Sequence, residues 1–141
     1  MNENKTMNLK NQGADAVARA ATAVMIEKKG MDVRLYEVGE SNPLTDFYLN
    51  VTGRSHSHVA SLADDLAEKL AELGLDALRV EGRRGDGWIL VDYGNVIVNV
   101  FDRESREFYN LDRLMPAETS VDISDIVKEV DNKLEIKNIE E

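Results

Sequence analysis

The 141-residue sequence has no cysteine, only two prolines, two histidines and one tryptophan. Without cysteine there is no disulfide, no thiolate metal ligand and no cysteine nucleophile, which suits a reducing compartment. No apolar run approaches the roughly 20 residues that cross a bilayer. The opening MNENKTMNLKNQGADAVA lacks the charged-then-apolar pattern of a signal peptide and is not an Arg-rich transit sequence, so a cytoplasmic protein is expected. Positive charge is also short: 17 Lys and Arg face 27 Asp and Glu, a formal net charge of -10. Such a balance repels nucleic acid and anionic lipid at long range, so a nucleoprotein partner would be gripped by its protein, with little direct RNA contact.

What is present reads as one domain with a tail, large enough for a single core. Residues 1–12 are polar and expected to fray, residues 13–116 carry the periodic elements, and residues 117–141 form an acidic C-terminal tail. Ala14, Val17, Ala18, Ala21, Val24 and Met25 recur at helical spacing before Gly30. DVRLYEVG and TDFYLNVTG read as strands separated by the turn SNPL, with Phe47, Leu49 and Val51 alternating against Tyr48, Asn50 and Thr52. A second helix follows, with Val59, Leu62, Ala63, Leu66, Leu70 and Leu73 in one stripe, Ser55 or Ser57 as cap and Gly74 as stop. DALRVEG is a third strand, and RRGDG a turn. RESREFYNLDRLM is a short helix with Phe108, Leu111 and Leu114 at spacing three, halted by Pro116. The tail carries eight acids against three lysines; Ile123, Ile126, Val127 and Val130 support at best a turn or two of helix. The expected fold is α/β, a mixed five-stranded sheet with packed helices, in which Asp46–Glu81 makes a right-handed parallel strand-helix-strand crossover.

The most apolar stretch, GDGWILVDYGNVIVNVFD (Gly85–Asp102), is a hairpin about the two-residue turn Gly94-Asn95. That turn sets Tyr93 opposite Val96, Val91 opposite Val98 and Ile89 opposite Val100, a wholly apolar face that must be core. The other face pairs Trp88 with Phe101, Leu90 with Asn99 and Asp92 with Ile97. This mixed face suits a surface covered only part of the time, or one lying under a helix of its own domain. Trp, Tyr and Arg often dominate protein interfaces. Trp88, Tyr93 and Tyr109 lie near Arg103, Arg106 and Arg113 in sequence; for Phe108 and Leu111 ordinary packing is the expectation.

Enzymatic signatures are thin. Metal-dependent phosphoryl transfer needs converging acids, and Asp92 is followed two residues on by Gly94, not by a second acid. Asp64 and Asp65 diverge on a helix. His56 and His58 have no third histidine, so capping or surface roles are expected rather than a metal site. VTGRS has one glycine and no lysine, a tight strand-helix connection rather than a phosphate loop. The Arg84–Asp86 tripeptide RGD is read as part of a turn. No nucleophile elbow occurs. No cofactor, metal or catalytic residue is assigned, and the chain is expected not to be an enzyme.

TDFYLNVTGRSHSHVASLADDL, RVEGRRGDGWILVDYGNVIVNVFD and REFYNLDRLM together resemble the ribosomal silencing factor (iojap-like) family over about Val33–Ser124. The resemblance implies a nucleotidyltransferase-like fold without the catalytic acids. It implies a translational repressor that binds the large ribosomal subunit through its protein number fourteen and sterically blocks small-subunit joining in starvation or stationary phase. It implies a monomer or homodimer. Carried over by motif, the partner-binding residues are Trp88, the Asp92-Tyr93-Gly94 step with Asn95, Asn99, and Tyr109, Leu111 and Leu114, with Trp88 as anchor. The chain departs from the family's usual DYGDVVVHVF at Asn95 and Asn99, and has Met115 where the family ends its last motif in Trp. A large-subunit assembly factor, or an enzyme binding or transferring nucleotides, are the alternatives.

Overall fold

A computed structural model describes residues 8–82 and 85–140. Helix α1 (Ala14–Glu27) leads to strands β1 (Met31–Glu37) and β2 (Phe47–Gly53), helix α2 (His56–Glu72), and strands β3 (Arg79–Glu81), β4 (Trp88–Asp92) and β5 (Val96–Asp102). Helix α3 (Arg103–Tyr109), a 3₁₀ turn (Leu111–Leu114), the two-residue strand β6 (Ser120–Val121) and helix α4 (Ser124–Glu140) complete the chain. The strands form one mixed sheet in the order β3-β4-β5-β2-β1-β6. Among the described residues β2 and β5 pair in parallel, and the other pairs are antiparallel.

Alternation decides which side chains are covered by what. Leu35, Leu49, Val51, Val91, Val98 and Val100 face one way and are buried, and α1 and α2 lie over them with Ala18, Ala21, Met25, Leu62, Leu66 and Leu70. Ser55 starts α2 by accepting from the His58 amide at 3.1 Å. Gly53 allows that helix to come close: a Cβ there would sit 2.9 Å from Val59 Cγ2. The hairpin has the expected register, with Trp88 opposite Phe101 and Asp92 opposite Ile97. Gly94 takes φ +88°, as the first position of a type II′ turn requires, and the Tyr93 amide donates to the Val96 carbonyl at 2.9 Å.

The structure corrects the sequence reading in three places. The sheet has six strands rather than five, because Ser120–Val121 pairs with Leu35 and Tyr36 of β1; two residues are too few for any alternation to register in sequence. Strand β3 runs parallel to β2, as expected of the crossover, and lies at the far edge with β4 and β5 between them. Most of the acidic segment is one long helix, Ser124–Glu140, rather than a turn or two: Ile126 and Val130, one turn apart, are buried on α4, which packs along α1 with Arg19 Nη2 donating to Asp125 Oδ2 at 2.6 Å. Near the other end, Leu9 is 1% exposed and its amide donates to the Leu73 carbonyl at 2.8 Å, so the chain is tied down from a short 3₁₀ turn, Leu9–Asn11. Of the expected RRGDG turn, residues 83 and 84 lie outside the described residues, as do residues 1–7 of the expected frayed segment.

Candidate functional surface

The second face of the sheet is polar at its centre: Asn50, Thr52 and Asn99 are buried there beside Phe101. A polar floor selects a polar cover. Helix α3 therefore turns Arg106 inward, at 8% exposure, and leaves Phe108 at 78% and Tyr109 at 47%. Asp102 caps α3 by accepting from the Ser105 amide at 2.7 Å, and Asn110, at φ +47°, ends the helix in the left-handed conformation an Asn tolerates. This corrects two expectations: Phe108 is not packed in the core, and the spacing of Phe108, Leu111 and Leu114 does not form an inward stripe. Leu111 is partly covered and Leu114 is 66% exposed.

Charge is neutralised beneath α3. Arg106 donates from Nε to Asp112 Oδ2 at 2.7 Å and from Nη1 to Thr52 Oγ1 at 2.8 Å. Tyr36 and Asn50 donate to Asp112 Oδ1 at 2.8 and 3.0 Å. Burial alone would raise the Asp112 pKa, but the hydrogen bonds from Arg106, Asn50 and Tyr36 outweigh it and hold the carboxyl below its ordinary value. Tyr36 is pushed up to about 12, by burial first and by its bond to Asp112 second.

Trp88 is partly covered. Its indole donates to Asn99 Oδ1 at 3.0 Å, and its ring lies 5.1 Å from Phe101 and 4.7 Å from Tyr109, centroid to centroid. The indole separates two shallow grooves, one lined by Glu81, Gly82 and Leu90, the other by Asp86, Gly87, Ser105 and Tyr109. Phe108 stands edge-on to Tyr109 at 5.0 Å. The result is an exposed aromatic and aliphatic surface on a pinned polar base.

The other expected contacts divide. Asn99 is 1% exposed and spends its amide group on Asn50 Oδ1 at 3.1 Å. Tyr93 is 6% exposed within the α2-side core. Neither reaches the surface, because β5 is a central strand and Tyr93 alternates onto the helix-covered face. Asp92 accepts from the Gly94 amide at 2.7 Å and from Arg79 Nε at 3.0 Å, so both its oxygens are used within the chain. Asn95 sits at the turn, partly covered. Trp88, Tyr109, Leu111 and Leu114 remain available, joined by Phe108 and Leu90. Sequence reading missed the roles of Asn50 and Asp112 and noted Arg106 only as a neighbour of the aromatic residues; no local pattern brings the three together, since they come from β2, α3 and the 3₁₀ turn.

The histidines have internal roles. His56 Nε2 lies 2.8 Å from Asp102 Oδ2, linking the starts of α2 and α3. His58 Nδ1 accepts from the Arg54 amide at 3.0 Å, which leaves Nε2 to donate to the Lys28 carbonyl at 3.1 Å. Among the described residues no group of three or more His, Cys, Asp or Glu could hold a metal, and no helix is long and apolar enough to cross a membrane.

Fold and surface together define a mixed-sheet α/β domain whose most conspicuous outward feature is a hydrophobic grouping on one polar-floored face. The chain belongs to the ribosomal silencing factor family: the profile described as "Ribosomal silencing factor during starvation" matches residues 11–140. A ribosomal silencing factor of Halalkalibacterium halodurans is 30% identical over 101 residues, covering 72% of this chain and 86% of the relative. A crystal structure of a protein from Chromobacterium violaceum superposes with a TM-score of 0.71 at 28% identity, over 74% of this chain and 87% of that one. The mouse protein named mitochondrial assembly of ribosomal large subunit protein 1 is 23% identical over 95 residues, 65% of this chain and 42% of its own length.

Proposed function

We propose that this chain represses translation by binding the large ribosomal subunit through its protein number fourteen, on the face that meets the small subunit, so that the subunits cannot join. Family membership supports a ribosomal silencing role, and one structural observation carries the docking: Tyr109 lies against Trp88 and Phe108 against Tyr109, both exposed, with Leu114 exposed on the 3₁₀ turn that follows, above buried Asn50, Thr52 and Asn99 whose hydrogen bonds are made within the chain. A specific interface buries roughly 1,200–2,000 Å² in total. Occlusion asks for no chemistry from the chain; two bodies cannot fill one volume. The net charge of -10 favours gripping protein rather than RNA.

Co-sedimentation with isolated large subunits tests the reading. The chain should travel with large subunits at a shallow salt dependence, and a chain left at the top of the gradient contradicts it. A second reading, assistance to large-subunit assembly, is favoured by the name of the mouse relative. It would be distinguished by precursor particles accumulating when the gene is deleted.

A further inference from the structure

Three hydrogen bonds run in one direction across the sheet. Trp88 Nε1 donates to Asn99 Oδ1 at 3.0 Å, Asn99 Nδ2 to Asn50 Oδ1 at 3.1 Å, and Asn50 Nδ2 to Asp112 Oδ1 at 3.0 Å. The indole can only donate, which fixes how Asn99 faces; Asn99 then fixes Asn50, and the relay must end on a pure acceptor. Asp112 is that acceptor, and it receives Tyr36 and Arg106 as well. The same residue belongs to the 3₁₀ turn carrying Leu111 and Leu114, while its partner Arg106 belongs to the helix carrying Phe108 and Tyr109.

From this we infer that Asp112 is the positioning residue of the docking surface: its carboxylate fixes the rotation of the Trp88 indole through two amides and clamps both elements that bear the exposed side chains. The inference rests on the docking reading above, but its structural half stands without it. Binding surfaces need side chains held by a supporting layer, since looseness of an ångström forfeits affinity. An Asn at position 112 would keep its oxygen for Asn50 and Tyr36 but turn its amide hydrogens toward the Arg106 guanidinium, donor against donor. The clamp on α3 would open at nearly unchanged volume.

Trp88 is the only tryptophan, so its fluorescence reports the far end of the relay directly. In Asp112→Asn the acceptor for Asn50 is kept but the clamp on α3, which seats Tyr109 against the indole, opens, so acrylamide quenching of that emission should rise and binding to isolated large subunits should weaken by about tenfold, equivalent to ~1.4 kcal/mol. Asp112→Glu, which keeps a carboxylate, should recover part of both. Asp125→Asn, which removes an ion pair on α4, should alter neither. If Asp112→Asn does not fold, Tyr36→Phe removes one donor to the carboxylate and should shift quenching the same way to a smaller extent. Unchanged quenching in whichever of the two folds overturns the inference. Should the unaltered chain fail to bind large subunits while Asp112→Asn still shifts Trp88, the docking reading fails and the positioning role of Asp112 stands.

Discussion

On α3, Arg106 and Phe108 stand two residues apart and face opposite ways: the guanidinium is 8% exposed and the ring 78%. An ordinary amphipathic helix does the reverse. The inversion follows from the floor beneath, where Asn50, Thr52 and Asn99 have hydrogen bonds to make and no use for a phenyl ring.

Removing the guanidinium should therefore be costly. Arg106→Ala leaves the Asp112 carboxylate and Thr52 without their main partner, and chemical denaturation should show a loss of about 2–3 kcal/mol, the scale for breaking a largely buried pair. A loss under ~0.5 kcal/mol, the usual range of a neutral surface change, would mean the pair is not structural.

Phe108 and Leu114 should behave oppositely. Phe108→Ser with Leu114→Ser should leave stability within about 0.5 kcal/mol, yet weaken binding to large subunits by about 2 kcal/mol, as hot-spot residues do. Stability lost with binding intact would return these residues to the core.

How much of this was legible in the sequence varies with the physics involved. The hairpin register, the turn at Gly94 and the α2 stripe follow from local rules, period two, a positive φ and period 3.6, and all three stand as read. The inverted α3 does not, because its orientation is set by residues from β1, β2 and β5 that no local pattern brings together. Asn99 carries the same lesson: alternation placed it on the mixed face correctly, but only the fold shows that β5 is central and that its amide is occupied within the chain. Helix α4 was hidden by its charge, since two anchors, Ile126 and Val130, suffice to dock it.

Tyr93 offers a test of burial without partnership. Its hydroxyl is buried with no hydrogen-bond partner, and the phenol is pushed up to about 12, by burial first and by Asp76 second. Tyr93→Phe should be neutral or stabilising by up to ~1 kcal/mol in a melt, because an unmet desolvation cost disappears. Marked destabilisation would reveal a partner for that hydroxyl.

Stability should fall at both pH extremes for identifiable groups. Asp112 and Asp102 are held below the ordinary 3.8, the latter by Ser105 and His56 against the upward push of burial. Their contribution is complete above that value and is lost as pH falls through the lowered folded values. Burial pushes Tyr36 and Tyr93 from 10.0 up to about 12, so their contribution is complete below pH 10 and is lost as the pH rises toward 12. Denaturation across pH, with Asp112→Asn flattening the acid limb and Tyr93→Phe the alkaline one, checks both signs.

Occlusion can be watched as it happens, by light scattering during subunit joining. Chain added to large subunits before small subunits should reduce the joining amplitude in proportion to its occupancy, and the Phe108→Ser, Leu114→Ser variant should restore it. Undiminished joining by large subunits that demonstrably carry the chain would rule out occlusion.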